Sequence, residues 1–292
     1  MNERIDNAKK FLAQCSRAHG WQRGNGKCVR VGRRVAIGSG LLAAGAIALS
    51  RRTKPATEGL EGAITIDSRW KTEKPKKTGS NPAMIFISPE GDRYYGKLKS
   101  WKESSPGFIE RAKTEVLASN LYKLAGVDAM DTALGVYNGE PVFLSKMVDA
   151  SPPMVEDNPK IRDGFIVDAW LANWDAPMHD NIVMVKGKPF RLDVGGSLDY
   201  RAKGGKKGAN GKGTPFGEEV GELQSMQKKG KAADFRDMDS SELKEQAKRL
   251  GQVSDAFISN AVKKQFGESD RASTLSRLLI ARKNNILEKV KA

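Results

Sequence analysis

The feature that most constrains this chain is the dipeptide Asn138-Gly139, set between the alternating runs ALGVY and PVFLSK. Asn-Gly supplies the positive φ that a two-residue turn requires, so the flanking runs are expected to pair as a hairpin. Similar signals stand on either side of it. Upstream, AMIFIS (83–88) and RYYGKLK (93–99) read as strands separated by the turn Pro89-Glu90-Gly91-Asp92. Downstream, NIVMV and PFRLD are joined by Lys186-Gly187-Lys188.

Helical stretches separate the hairpins. Ser105-Pro106 offers a start, with the serine as cap and the proline in the first turn. Ile109, Ala112, Val116, Leu117, Leu121 and Leu124 follow at helical spacing. A proline-rich loop (151–159) precedes a helix expected near 160–172, and the chain from 217 onward reads as helical, notably 240–265 and 272–290. In 240–265, Glu242, Lys244, Glu245, Lys248 and Arg249 alternate with Leu243, Ala247, Leu250 and Phe257, the pattern of an amphipathic surface helix.

Charge is spread unevenly. Residues 1–60 hold twelve Lys/Arg against three Asp/Glu, so this basic N-terminal arm carries +9 of the chain's net +15. Such an arm suits an anionic membrane surface or an acidic protein, or is simply solvated. Nucleic acid is the weakest partner class, because the arm has only Phe11 and Trp21 as aromatics and no base-reading motif. Within it, 35–50 (VAIGSGLLAAGAIALS) is uncharged between arginine pairs. At about 24 Å as a helix it falls short of the ~30 Å hydrocarbon core, and it reads as a short membrane contact or a protein-packed helix. Both cysteines, Cys15 and Cys28, lie in the arm, which points to a reducing, cytoplasmic setting, with membrane or virion association through 35–50 as the variant. Residues 61–82, rich in Lys, Thr, Pro and Gly, read as a linker.

The order of parts carries the chemistry. A hairpin bears Lys97, a helix bears Glu115, a second hairpin follows, a helix ends in Asn173-Trp174-Asp175, and the last hairpin ends in Asp193-Val194-Gly195. Asn181 starts one strand of that hairpin and Asp193 ends the other, so strand pairing brings the two together.

With YYGKLK, AKTEVLASNLYKLAGV, DAWLANWD…DN and RLDVGGSLDYRAKG, this order resembles the atypical protein-kinase-like superfamily. The similarity lies with HipA-like and phosphatidylinositol-kinase-like domains of bacteria and phage. It implies an α+β, two-lobed kinase-like fold, with a hairpin-rich N-lobe at 83–149 and a larger helical C-lobe at 150–292. It also implies ATP and Mg2+ as cofactors: Lys97, held by Glu115, on the phosphates, with Lys99 as the alternative ligand; Asn181 and Asp193 on the metal; Asp175 as catalytic base. Asp180 is a substitute for either role, and His179 falls near a position where related loops keep a histidine. No Gly-x-Gly-x-x-Gly loop precedes Lys97, where the turn holds only Gly91.

After Gly195-Gly196-Ser197 the segment 201–213 (RAKGGKKGANGKG) has five glycines, five basic residues and no acid. Such a composition is not expected to pack in a core. It reads as a clamp for phosphates or an acidic substrate, or as a connector. The resulting expectation is an ATP- and magnesium-dependent phosphotransferase acting on a protein or small hydroxyl acceptor. The alternative is a non-catalytic kinase-like scaffold of a virion or membrane. A scaffold has no chemical need to retain Lys97, Glu115, Asp175, Asn181 and Asp193 together.

Overall fold

The computed structural model describes residues 21–24, 27–30, 59–74, 82–176, 181–201, 204–229, 235 and 238–291. The chain divides into two units, Met1–Arg52 and Thr53–Ala292. In the first, β1 (Trp21–Gly24) and β2 (Lys27–Arg30) pair as an antiparallel hairpin. The apolar stretch 35–50 and Cys15 lie outside the described residues, as do His179 and Asp180.

The second unit begins with a six-stranded sheet in the order β3-β7-β8-β6-β5-β4. Its strands are β3 (Ile64–Ile66), β4 (Lys71–Glu73), β5 (Ala83–Ile87), β6 (Arg93–Leu98), β7 (Thr132–Tyr137) and β8 (Glu140–Lys146). All pairings are antiparallel except β3 with β7. Residues 61–82, expected as a linker, therefore supply both edge strands. Three-residue strands are too short for alternation to register against their Lys- and Thr-rich surroundings. At the β7–β8 turn Asn138 and Gly139 have φ of 51° and 77°, and Tyr137 pairs with Glu140, as the Asn-Gly signal requires.

Alternation along β8 gives the sheet two apolar faces. Val142 and Leu144 join Ile66 and Phe86 on one, while Phe143 meets Phe108, Ala112 and Val116 on the other. Those last three belong to α1 (Ser105–Leu124). Its cap is Ser104 rather than Ser105: the Ser104 hydroxyl accepts from the Gly107 N–H at 3.3 Å, which places Pro106 inside the first turn. The opposite side of α1, with Leu117, Leu121 and Tyr122, belongs to the core of the helical lobe, so one helix serves both layers.

That lobe comprises α2 (Asn158–Arg162), α3 (Phe165–Trp170), the hairpin β9 (Ile182–Val185) and β10 (Lys188–Arg191), α4 (Glu222–Lys229), α5 (Ser240–Gly251), α6 (Asp255–Phe266) and α7 (Asp270–Lys291). The helix expected near 160–172 is two short ones. Gly164 lies between them, and a Cβ there would come within 2.3 Å of the Arg191 guanidinium. The single helix expected over 240–265 is likewise two, because Ser254 caps a new start by accepting from the Phe257 N–H at 3.2 Å. The restart resets the helical register. Phe257, expected on the apolar face, is accordingly 59% exposed.

Short helices leave their last carbonyls without helical partners. Arg282 of α7 resolves this for α3 by donating to Ala169 O and Trp170 O, both at 2.8 Å. Among the described residues no helix is long and apolar enough to cross a membrane.

Candidate functional site

Lys97 sits near the end of β6, beside Gly96. A Cβ on Gly96 would lie 2.3 Å from the Phe86 ring, so that position stays bare and faces the first apolar layer. Alternation then sends Lys97 to the α1 side, with its Nζ 5.0 Å from the Phe143 ring centroid. There Nζ donates to Glu115 Oε1 at 2.6 Å and to Asp193 Oδ1 at 3.1 Å. Glu115 reaches it from α1 and is almost fully buried, whereas the Asp193 side chain is 49% exposed.

The three charges tune one another. Burial would drive Lys97 toward losing its proton, but Glu115 and Asp193 override it and the ammonium is held firmly charged. Burial, with Asp193 adding like charge, lifts the Glu115 carboxyl above its ordinary range despite Lys97. Asp193 moves the other way. Burial would raise it, but Lys97 and the Gly195 N–H, 3.1 Å from Oδ1, hold it below the usual carboxylate range. Gly195 passes so close that a Cβ would stand 3.0 Å from Glu115 Oε2.

Asn181 and Asp193 flank the β9–β10 hairpin, and Leu192 N donates to Asn181 O at 2.9 Å, extending the pairing past the strand ends. Asn181 Nδ2 donates to Asp175 O at 3.1 Å, which leaves its side-chain oxygen as the end available to a cation. An amide oxygen and a carboxylate fit magnesium, which takes one or two protein oxygens and completes its shell from phosphates and water. Lys97, Glu115, Asn181 and Asp193 together line one cleft of about 420 Å3, whose remaining wall includes Met130, Phe143, Met147, Val148 and Leu192. Lys99 does not line it and instead pairs with Glu140 at 3.5 Å.

Asp175 lines a larger cavity of about 1140 Å3, with Trp174, Arg201, Lys207 and Glu222. Burial first, and then the charge of Asp193, raise the Asp175 carboxyl above its ordinary value. Lys206 and Lys207 of the basic segment 201–213 are both anchored. Lys207 Nζ donates to Ala172 O and Leu198 O, both at 2.6 Å, and Lys206 Nζ meets Glu110 of α1 at 3.0 Å. Contrary to its composition, the segment thus half-buries a lysine. Burial and then the charge of Arg282 push Lys207 down to about 7.

Three residues of this region received no role from the sequence. Tyr122, Asp168 and Arg191 are almost fully buried, and Tyr122 and Arg191 both bond to the Asp168 carboxylate. The available signal was a lone carboxylate inside the apolar run FIVDAWLA and a lone arginine between Phe190 and Leu192.

No protein-family model matches the sequence, and no curated protein matches it. Among solved structures, the chain is similar to the Helicobacter pylori proinflammatory kinase CtkA, with a TM-score of 0.51 and 11% identity. The match covers 78% of this chain and 98% of that one. The similarity supports a kinase-like fold, with a sheet lobe followed by a helical lobe.

Proposed function

We propose that this chain is an ATP- and magnesium-dependent phosphotransferase of the HipA-like kind, acting on a protein or small hydroxyl acceptor. One observation carries the reading. A single ammonium, Lys97, bonds at once to a buried carboxylate on α1 and to a half-exposed carboxylate at the end of a hairpin, at the back of a cleft with apolar walls. Glu115 fixes the lysine. Lys97 and Asp193 then present a cation and an oxygen donor on one side of the cleft, where a nucleotide's phosphates and their metal need both.

In this reading Met147, Val148 and Leu192, all partly exposed, cover the faces of the base. Asn181 and Asp193 hold the magnesium, which when bound neutralises charge on the phosphates. Lys97 orients the phosphate chain. Asp175, with its raised pKa, accepts the proton of an acceptor hydroxyl entering through the larger cavity. A base whose pKa approaches the working pH is better matched to that task than an ordinary aspartate.

The test is transfer of the γ-phosphate from radiolabelled ATP, in wild-type protein and in Asp175→Asn, with nucleotide affinity measured alongside. Loss of transfer in the variant with affinity retained supports the assignment. A wild-type protein that binds nucleotide but transfers nothing would favour the scaffold reading.

A further inference from the structure

Asp168 is the only carboxylate in the run 165–174, and it is wholly buried on α3. Its Oδ1 accepts from Tyr122 OH at 2.8 Å and from Arg191 Nε at 3.0 Å, and its Oδ2 accepts from Arg191 Nη2 at 2.7 Å. Two branches leave this carboxylate. Along the first, Tyr122 OH accepts from Asn173 Nδ2 at 2.9 Å, and Asn173 Oδ1 accepts from the backbone N–H of Asp175 at 3.3 Å. Along the second, Arg191 ends β10, two residues before Asp193.

A buried ion pair is a poor stabiliser, because apolar side chains of the same volume do as well or better. Stability therefore does not explain why three polar side chains are sunk in this core. What they supply is direction, since each bond fixes an angle that apolar packing would leave loose. Their two outlets are the segments bearing Asp175 and Asp193.

We propose that Asp168 is a positioning residue that sets the Asp175 loop and the Asp193 hairpin in one register, through Tyr122–Asn173 on one side and Arg191 on the other. It rests on the phosphotransfer reading for what Asp175 and Asp193 do, but the network itself can be tested without nucleotide. Tyr122→Phe keeps the ring in the core and cuts only the first branch. Asp168→Asn keeps the shape and weakens both.

The experiment is amide hydrogen exchange on the full chain over 171–176 and 188–195, with nucleotide affinity and turnover measured on the same proteins. In Tyr122→Phe, exchange is expected to rise about tenfold over 171–176, the loss of roughly one hydrogen bond, and to stay at the wild-type rate over 188–195. Magnesium-dependent affinity for an ATP analogue stays within about twofold in that variant while turnover falls about 100-fold, the effect of a misplaced catalytic group. Asp168→Asn raises exchange over both segments. Exchange that stays at the wild-type rate over 171–176 in Tyr122→Phe, or rises equally across the helical lobe, overturns the proposal. Failure of nucleotide to bind wild-type protein would instead count against the phosphotransfer reading and leave the exchange pattern to decide the network.

Discussion

Lys97 and Asp193, ninety-six positions apart in the sequence, meet at 3.1 Å at the back of the cleft. The contact gives Asp193 a cationic neighbour and gives Lys97 a second anion beyond Glu115. Both consequences can be measured.

Removing Lys97 strands the Glu115 carboxylate in the interior. Breaking one side of a buried pair costs about 3–5 kcal/mol, and Lys97→Ala is expected to fall in that range by urea unfolding at neutral pH. Burial raises the Glu115 pKa, so a stranded carboxylate is penalised at neutral pH and relieved once it is protonated. The deficit should therefore shrink as pH falls through that raised pKa, before the ordinary glutamate value of about 4.3 is reached. Lys99→Ala, which loses only a surface pair with Glu140, should change stability by less than about 1 kcal/mol.

Lys207 makes stability depend on pH in the alkaline range. Its folded pKa, about 7, lies below that of an unfolded lysine, so the folded chain binds fewer protons from there up to about pH 10. Stability should rise with pH in that window, by up to about 2 kcal/mol between pH 7 and pH 9. A neutral amine still donates its two hydrogens to Ala172 O and Leu198 O. Lys207→Met should flatten the slope; a slope equal to that of the wild type would remove Lys207 as its source.

Gly164→Ala should cost about 1–3 kcal/mol by overpacking, because its Cβ would sit 2.3 Å from the Arg191 guanidinium in a site without slack. A melting temperature unchanged by this substitution would mean that Arg191 is not fixed where the structure places it.

Two neighbouring serines test the start of α1. Ser104→Ala removes the cap and should cost about 1 kcal/mol, whereas Ser105→Ala should be close to neutral. Equal losses in chemical denaturation would contradict the assigned cap.

How far the sequence could be read followed from whether its signals were local. Asn138-Gly139 announces its turn through its own backbone preference, and strand pairing alone carries Asn181 next to Asp193. The choice of Lys97 over Lys99 needed Gly96 and Phe86, whose contact depends on which strands are neighbours. The edge strand β3 was hidden because its partner β7 lies far along the chain, and β4 because three residues are too short for alternation to show. The break before Ser254 was locally written but masked by apolar spacing that continued through it. Asp168 and Arg191 had no pattern to belong to, and only the folded chain puts them at 2.7 Å.

The most direct test of the cleft is the melting temperature of the full chain with ATP, with and without magnesium, compared with Asp193→Ala. A site at a hundred times its dissociation constant adds about 2.7 kcal/mol to stability. A rise that requires magnesium and vanishes in Asp193→Ala is the expected result. No rise at millimolar ATP, or an equal rise in the variant, would contradict Asp193 as a metal ligand and the cleft as a nucleotide site.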